Sequence, residues 1–241
     1  MAERAILVIG AGDALGGAIA RRFAREGYAA ALVRRHAEQL EPLAAAIRDA
    51  GGEAHPFGAD ARQEDQMVAL FEKVEAEIAP IEVCVFNIGA NVRFPIAETT
   101  ARVFTKVWEM ACFAGFIAGR EAAKAMVPRG RGTILFTGAT ASVRGRDGFA
   151  AFAAAKHGLR AVAQSMAREL GPQGVHVAHV VIDGAVDGVF IRGNRDDVDE
   201  LAGRDAILKP EDIAQSYVAL ARQPRSAWTH ELDLRPWTET W

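Results

Sequence analysis

Short apolar runs alternate with longer stretches of helical period from one end of this chain to the other, and that alternation leaves few folds open. Residues 5–9 read Ala-Ile-Leu-Val-Ile, apolar at every position rather than at every second one. Such a run suits a strand covered on both faces. Residues 15–26 follow with Leu15, Ile19 and Phe23 on one helical stripe, and Gly27 ends them. The pattern repeats. Strands are expected at 29–33, 53–57, 81–86, 132–136, 175–182 and 231–234. Helices are expected at 38–50, 63–78, 100–126, 149–170 and 212–221. Residues 187–204 are polar and aperiodic. Buried parallel strands joined by right-handed helical crossovers follow from this order. No linker, repeat or change of composition divides the 241 residues. The expectation is one α/β domain over residues 1–241, a doubly wound Rossmann sheet with helices on both faces.

Composition narrows the partners. Half of the chain is hydrophobic, a quarter is charged, and the formal net charge is −3. Nothing here suits nucleic acid or an anionic membrane. The apolar run within residues 1–10 is too short for a signal segment or a membrane span. Cys84 and Cys112 lie in apolar stretches without a CxxC pattern. They read as buried free thiols in a chain of the reducing cytoplasm.

The first strand runs into Gly10-Ala11-Gly12-Asp13-Ala14-Leu15-Gly16-Gly17. Residues without a Cβ allow a tight turn there, and backbone N–H groups with the following helix N-terminus can then approach a pyrophosphate. Gly10, Gly12, Asp13, Ala14, Leu15 and Gly16 are therefore candidate dinucleotide-binding residues. At the end of the second strand an acid would bond the ribose hydroxyls of NAD. The sequence instead has Arg34-Arg35-His36, and guanidinium groups suit a 2′-phosphate. NADP is the expected cofactor and NAD the alternative, because Asp13 places an opposing charge nearby.

Along its whole length the chain resembles the short-chain dehydrogenase/reductase family. Gly10 and Gly16 fit that family's Thr-Gly-x-x-x-Gly-x-Gly, with Ile9 for the threonine and Ala14 for the middle glycine. The resemblance places Asp60 and Ala61 near the adenine. Asn87 and Gly89 match its Asn-Asn-Ala-Gly, and Gly184 and Val186 match its Pro-Gly-x-Val. Asp183 stands for the proline there, and Gly188 for the threonine that holds the nicotinamide amide.

The family transfers a hydride between a nicotinamide and a carbonyl or alcohol carbon. It uses a tyrosine acid/base, a lysine beside the nicotinamide ribose, a serine on the substrate oxygen, and an asparagine in the preceding helix. Here the tyrosine position is Phe152, the serine position Ala139 and the asparagine position Ala111. Only Lys156 remains, as catalytic and cofactor-binding candidate. Loss of a positioned general acid typically costs about 10²–10⁴ in rate. Thr137, Thr140 and Ser142 are hydroxyls that a shifted loop could present, and Arg144, Arg146 and Asp147 could reach the cleft mouth.

Other features call for little. His176 and His179 face opposite sides of a strand, and His157 falls on the far side of its helix from the cleft. Asp196, Asp197, Asp199 and Glu200 read as a solvated face of a substrate lid, so no metal site is expected. Trp228, Trp237 and Trp241 suit packing at a subunit contact. The helices at 100–126 and 149–170 are rich in small residues, and the resemblance implies a homodimer or homotetramer built on them.

Two functions fit. One is an NADP-preferring oxidoreductase with an altered proton-transfer site, acting on a small molecule such as an activated carbonyl, an imine or a conjugated alkene. The other is a catalytically silent nucleotide-binding or assembly protein on the same scaffold.

Overall fold

The computed structural model describes residues 2–240, so Trp241 lies outside the described residues. Seven strands form one sheet in the order β3-β2-β1-β4-β5-β6-β7. They are β1 (Ala5–Ile9), β2 (Ala29–Arg34), β3 (Glu53–Gly58), β4 (Ile81–Phe86), β5 (Gly132–Thr137), β6 (Val175–Ile182) and β7 (Glu231–Leu234). Every neighbouring pair is parallel.

The unbroken apolar runs have a simple cause. Successive residues of β1 go to opposite cores: Ala5, Leu7 and Ile9 to one, Ile6 and Val8 to the other. Helices α3 (Glu64–Glu77), α5 (Ala114–Met126) and α6 (Ala150–Leu170) close the first core. Helices α1 (Leu15–Arg25), α2 (Glu41–Asp49) and α9 (Pro210–Ala221) close the second. Pro56 sits in β3 because that strand is an edge, where a missing N–H costs no ladder bond.

Three helical expectations change. The stretch expected at 38–50 begins as a 3₁₀ turn, Ala37–Leu40, and becomes α2 only at Glu41, where Pro42 takes a first-turn position. The long helix expected at 100–126 is interrupted. It runs as α4 (Ala101–Trp108), a π turn (Glu109–Phe113) and then α5, with the Thr100 hydroxyl accepting from the Val103 N–H as the cap. The stretch 187–204 is not without structure. It holds two short helices, α7 (Val189–Arg192) and α8 (Val198–Gly203), tied together by Arg192, which bonds both Asp187 and Asp199. Local ion pairs of this kind leave no hydrophobic period to read.

The strand order reverses between β1 and β4, so their carboxyl ends diverge and open a crevice. All the loops that carry the sequence candidates end there. No helix among the described residues is long and apolar enough to cross a membrane.

Candidate active site

The crevice begins at the glycine loop. Gly10 has φ +92°, and a Cβ there would come within 2.8 Å of the Asn87 carbonyl oxygen. At Gly16 a Cβ would stand 2.2 Å from the Gly10 carbonyl oxygen. These two glycines are required by the protein's own backbone. The Asn87 side chain locks the arrangement by donating to the Gly10 carbonyl at 3.1 Å, so this amide is structural. Gly12 and Gly89 differ. Neither has a positive φ, and a Cβ on either would meet nothing within 4 Å. The fold itself gives no reason for glycine at these two positions, which flank the crevice.

Helix α1 starts at Leu15 with no side-chain cap and no acid in its first turn. Its first N–H groups therefore carry the positive end of the helix dipole unsatisfied. An uncapped eleven-residue helix, a glycine cradle and open space at Gly12 together fit a bound pyrophosphate. Asp13 is exposed on the rim of this loop.

Two cavities lie on either side. The first, about 160 Å³, is walled by Ile9, Val33, Ala59, Ala61, Ile88 and Met110 and edged by Arg34, Arg35, Asp60 and Arg62. Arg62 is committed to Asp60 through a bidentate pair at 2.9 and 2.5 Å, which holds the Asp60 carboxyl below its usual range. Neither Arg34 nor Arg35 makes an ion pair among the described residues, and Arg35 is exposed. Their guanidinium groups face a crevice without an internal partner.

The second cavity, about 410 Å³, joins Leu15 of the glycine loop to Asn87, Gly89, Gly184 and Val186 and to the start of α6. Lys156, Phe152, Ala139, Thr140 and Asn91 line it. Lys156 is 2% exposed, and its ammonium donates to the backbone carbonyls of Thr137 at 2.8 Å and Ile88 at 3.1 Å. No carboxylate pairs with it, and burial pulls it down to about 8.

Phe152, Ala139 and Ala111 are the positions that the resemblance gives to tyrosine, serine and asparagine. They do not stand apart as three isolated exceptions. Ala111 and Phe152 are core members of one apolar cluster with Cys112, Ala141, Ala151 and Ala155, and Ala139 packs against it. Ala111 lies on the π turn.

The remaining hydroxyls are mostly spent. Thr137 Oγ1 pairs with the buried Tyr217 hydroxyl at 2.8 Å. Ser142 is fully buried, and its oxygen accepts from the Ala139 N–H. Thr140 faces the cavity and donates at 2.5 Å to Asp183, itself 4% exposed. Its oxygen can therefore accept a hydrogen bond from a ligand, while its proton is engaged. Arg144 reaches Asp183 and Glu239, and Asp147 pairs with Arg93, so these charges are partnered at the rim.

The short chain dehydrogenase family model matches residues 4–197. The chain belongs to the short-chain dehydrogenase/reductase family. Members of this family are oxidoreductases that bind nicotinamide cofactors. A cis-4-hydroxycyclohexanecarboxylate dehydrogenase of Sinomonas cyclohexanicum is 30% identical over 230 residues, covering 93% of this chain and 92% of its own. A solved short-chain dehydrogenase from Rhodopseudomonas palustris is 50% identical, with a TM-score of 0.85 over 98% of this chain and 100% of its own. A variant actinorhodin polyketide ketoreductase solved with NADPH is 26% identical, with a TM-score of 0.87 over 98% of this chain and 96% of its own.

In this chain the structure brings together Leu15, Asn87, Gly89, Lys156, Gly184 and Val186 around one cavity, and Gly10, Arg34, Arg35, Asp60 and Ala61 around the other, while Gly12, Ala14 and Gly16 line neither. Asp13 lines neither. Gly184, at φ +154°, is demanded by the C-terminal segment, since a Cβ would stand 2.8 Å from Pro236. Three contributors escape a reading of the sequence. Met110 and Arg62 enter the first cavity and Asn91 the second, and none belongs to a motif. The one available signal was position, two residues beyond Asp60 and beyond Gly89, on strand-end loops. His176 stacks on Trp228 at 4.9 Å, and His157 is exposed, as a structural reading requires. Among the described residues no group of His, Cys, Asp and Glu could hold a metal.

Proposed function

We propose that this protein is an NADP-preferring oxidoreductase that transfers hydride without a tyrosine acid/base. The observation that carries the proposal is the second cavity, where a dinucleotide cradle meets Lys156 while Phe152 and Ala139 form the facing wall. Bound there, a nicotinamide cofactor supplies or accepts the hydride. Gly10, Gly12, Asp13, Ala14, Leu15 and Gly16 hold its pyrophosphate, and Arg34 and Arg35 take the 2′-phosphate. Asp60 and Ala61 border the adenine. Asn87 keeps the glycine loop in place, and Gly89, Gly184 and Val186 border the nicotinamide end. Lys156 holds the ribose.

Phe152 excludes water and contributes no proton. Of the groups lining the cavity, Asn91 offers an exposed amide and Thr140 an acceptor oxygen to a substrate polar atom. This set suits substrates whose reduction demands little acid catalysis: an activated carbonyl, an imine or a conjugated alkene. A cytoplasmic location and a homo-oligomer belong to the same proposal. The oligomer is supported by the half-exposed Trp108 of α4 and Phe116 of α5, which stack on either side of Phe113 of the π turn at 5.9 and 6.3 Å. The apolar cluster around Phe152 favours one rival, a silent nucleotide-binding scaffold.

Calorimetric titration with NADPH and NADH tests the proposal. NADPH binding at least about tenfold tighter than NADH is expected from two charge-assisted contacts. The reverse preference makes Asp13 the dominant charge, and no binding of either leaves only the scaffold.

A further inference from the structure

Lys156 is the one ionisable side chain lining the 410 Å³ cavity. It has no carboxylate partner, and its two hydrogen-bond acceptors are backbone carbonyls. A neutral amine has two N–H donors, so those carbonyls satisfy it completely and leave its lone pair unused. An ammonium would carry a third N–H with no protein acceptor. The apolar part of the surrounding wall is Phe152, Ala139, Ile182, Val186 and Ile191, and Asn87, Asn91, Thr137 and Thr140 line the rest. Desolvation in such a wall is what makes a lysine nucleophilic. In the family pattern a tyrosine hydroxyl would stand beside this amine; here Phe152 leaves it without that neighbour.

We propose that the Lys156 amine captures small aldehydes and ketones as an imine within this cavity, an activity that goes beyond hydride transfer and needs no cofactor. The amine lone pair adds to the carbonyl carbon, and the carbonyl π pair moves to oxygen. A proton passes from nitrogen to that oxygen through water, giving a carbinolamine. The C–O bond then breaks, water leaves, and the C=N bond forms. One amine and one carbonyl give one imine and one water, with no oxidant or reductant. The protonated imine keeps one N–H, so one of the two backbone carbonyls keeps its donor. The apolar wall selects short alkyl or cycloalkyl carbonyls, and the Asn91 amide is the one exposed polar group placed to meet their oxygen.

The protonation state agrees with the geometry. At pH 7 an amine at about 8 is about one-tenth neutral, against roughly four in ten thousand for an ordinary lysine. Of the other four lysines, Lys73, Lys106 and Lys124 are exposed and Lys209 is half-buried.

The test uses the intact protein with propanal or cyclohexanone and sodium cyanoborohydride, followed by peptide mapping. The expected result is an adduct on Lys156 forming at least about tenfold faster than on any other lysine at pH 7, with a rate that rises through about pH 8. Labelling of the other four lysines with Lys156 spared overturns the proposal, as does a rate at Lys156 that rises only near the ordinary lysine range. Mapping on the wild-type chain requires no variant to fold. Lys156→Met, which removes a buried charge, should fold and lose the adduct. Because no nicotinamide takes part, this outcome is independent of the NADPH titration.

Discussion

At the β2–β3 end of the crevice, Arg34 and Arg35 stand unpaired beside a small apolar slot. At the β5–β6 end, Phe152, Ala139 and Ala111 share one apolar cluster around a single buried amine. The first end keeps charge exposed where a ligand can use it. The second is apolar at three positions to which the family resemblance gives polar groups. Three apolar residues packed in one cluster are best understood together. A hydroxyl or amide left alone among Cys112, Ala141 and Ala151 would be buried without a partner and would cost about 1–3 kcal/mol. The arginine end bears no such interdependence, because Arg34 and Arg35 both meet solvent.

The largest effect should come from refilling the apolar end. Phe152→Tyr with Ala139→Ser and Ala111→Asn restores the acid, the oxygen-holding hydroxyl and the amide. Reduction of a simple cyclic ketone by NADPH should rise by about 10²–10⁴ over the wild-type protein. Phe152→Tyr alone should gain far less, because its hydroxyl would enter an apolar cluster. Equal gains from the single and triple variants would break the argument that the three positions act together.

Next in size is an acid weakness beneath the same end. His179 is fully buried; its Nδ1 pairs with Glu231 at 3.1 Å, and its Nε2 has no partner. A Cβ on Gly138 would stand 2.4 Å from that Nε2, so the ring supports the loop after β5 from behind. Burial lowers its pKa to about 4 from 6.5. Between those values the unfolded chain binds a proton that the folded one refuses, so stability falls as pH drops from 6.5 to 4. The loss should approach about 3 kcal/mol. His179→Asn should flatten that limb by about one proton in urea titrations at stepped pH. An unchanged slope would assign the acid limb to other groups.

At the arginine end, Arg34→Glu and Arg35→Glu should each weaken NADPH binding roughly ten- to hundredfold. NADH binding should hold or improve. Equal loss for both cofactors would mean that the arginines shape the loop rather than read a phosphate.

The two ends were not equally open to a reading of the sequence. Strand runs such as 5–9 announce themselves, because burial on both faces leaves no polar position, and 175–182 departs from that rule only at His176 and His179. Gly10 and Gly16 could be placed for the same kind of reason: each answers a backbone contact that only glycine satisfies. The π turn could not, since a one-residue insertion into a helix leaves the apolar period nearly intact. Nor could the fate of Thr137 and Thr140. Which hydroxyl is spent depends on Tyr217 and Asp183, 80 and 43 residues away.

The smallest effect links the two ends through a contact that neither motif suggests. Ala14 stands where the family pattern has glycine, and Gly188 where it has threonine. A Cβ on Gly188 would meet the Ala14 methyl at 2.6 Å. The backbone at Gly188 is extended, with φ −173°, so any residue could adopt it; space alone forbids a side chain. The two departures therefore compensate each other. Gly188→Thr alone should overpack and cost about 1–3 kcal/mol. In the Ala14→Gly background the threonine gains room and can also cap α7, whose first residue follows it. A double-mutant cycle by thermal unfolding should then show a favourable coupling of about 1 kcal/mol. The double variant should bind NADPH no more weakly than Ala14→Gly alone. Strict additivity would mean that α7 swings away from the glycine loop in solution, and that the apolar end opens independently of the cradle.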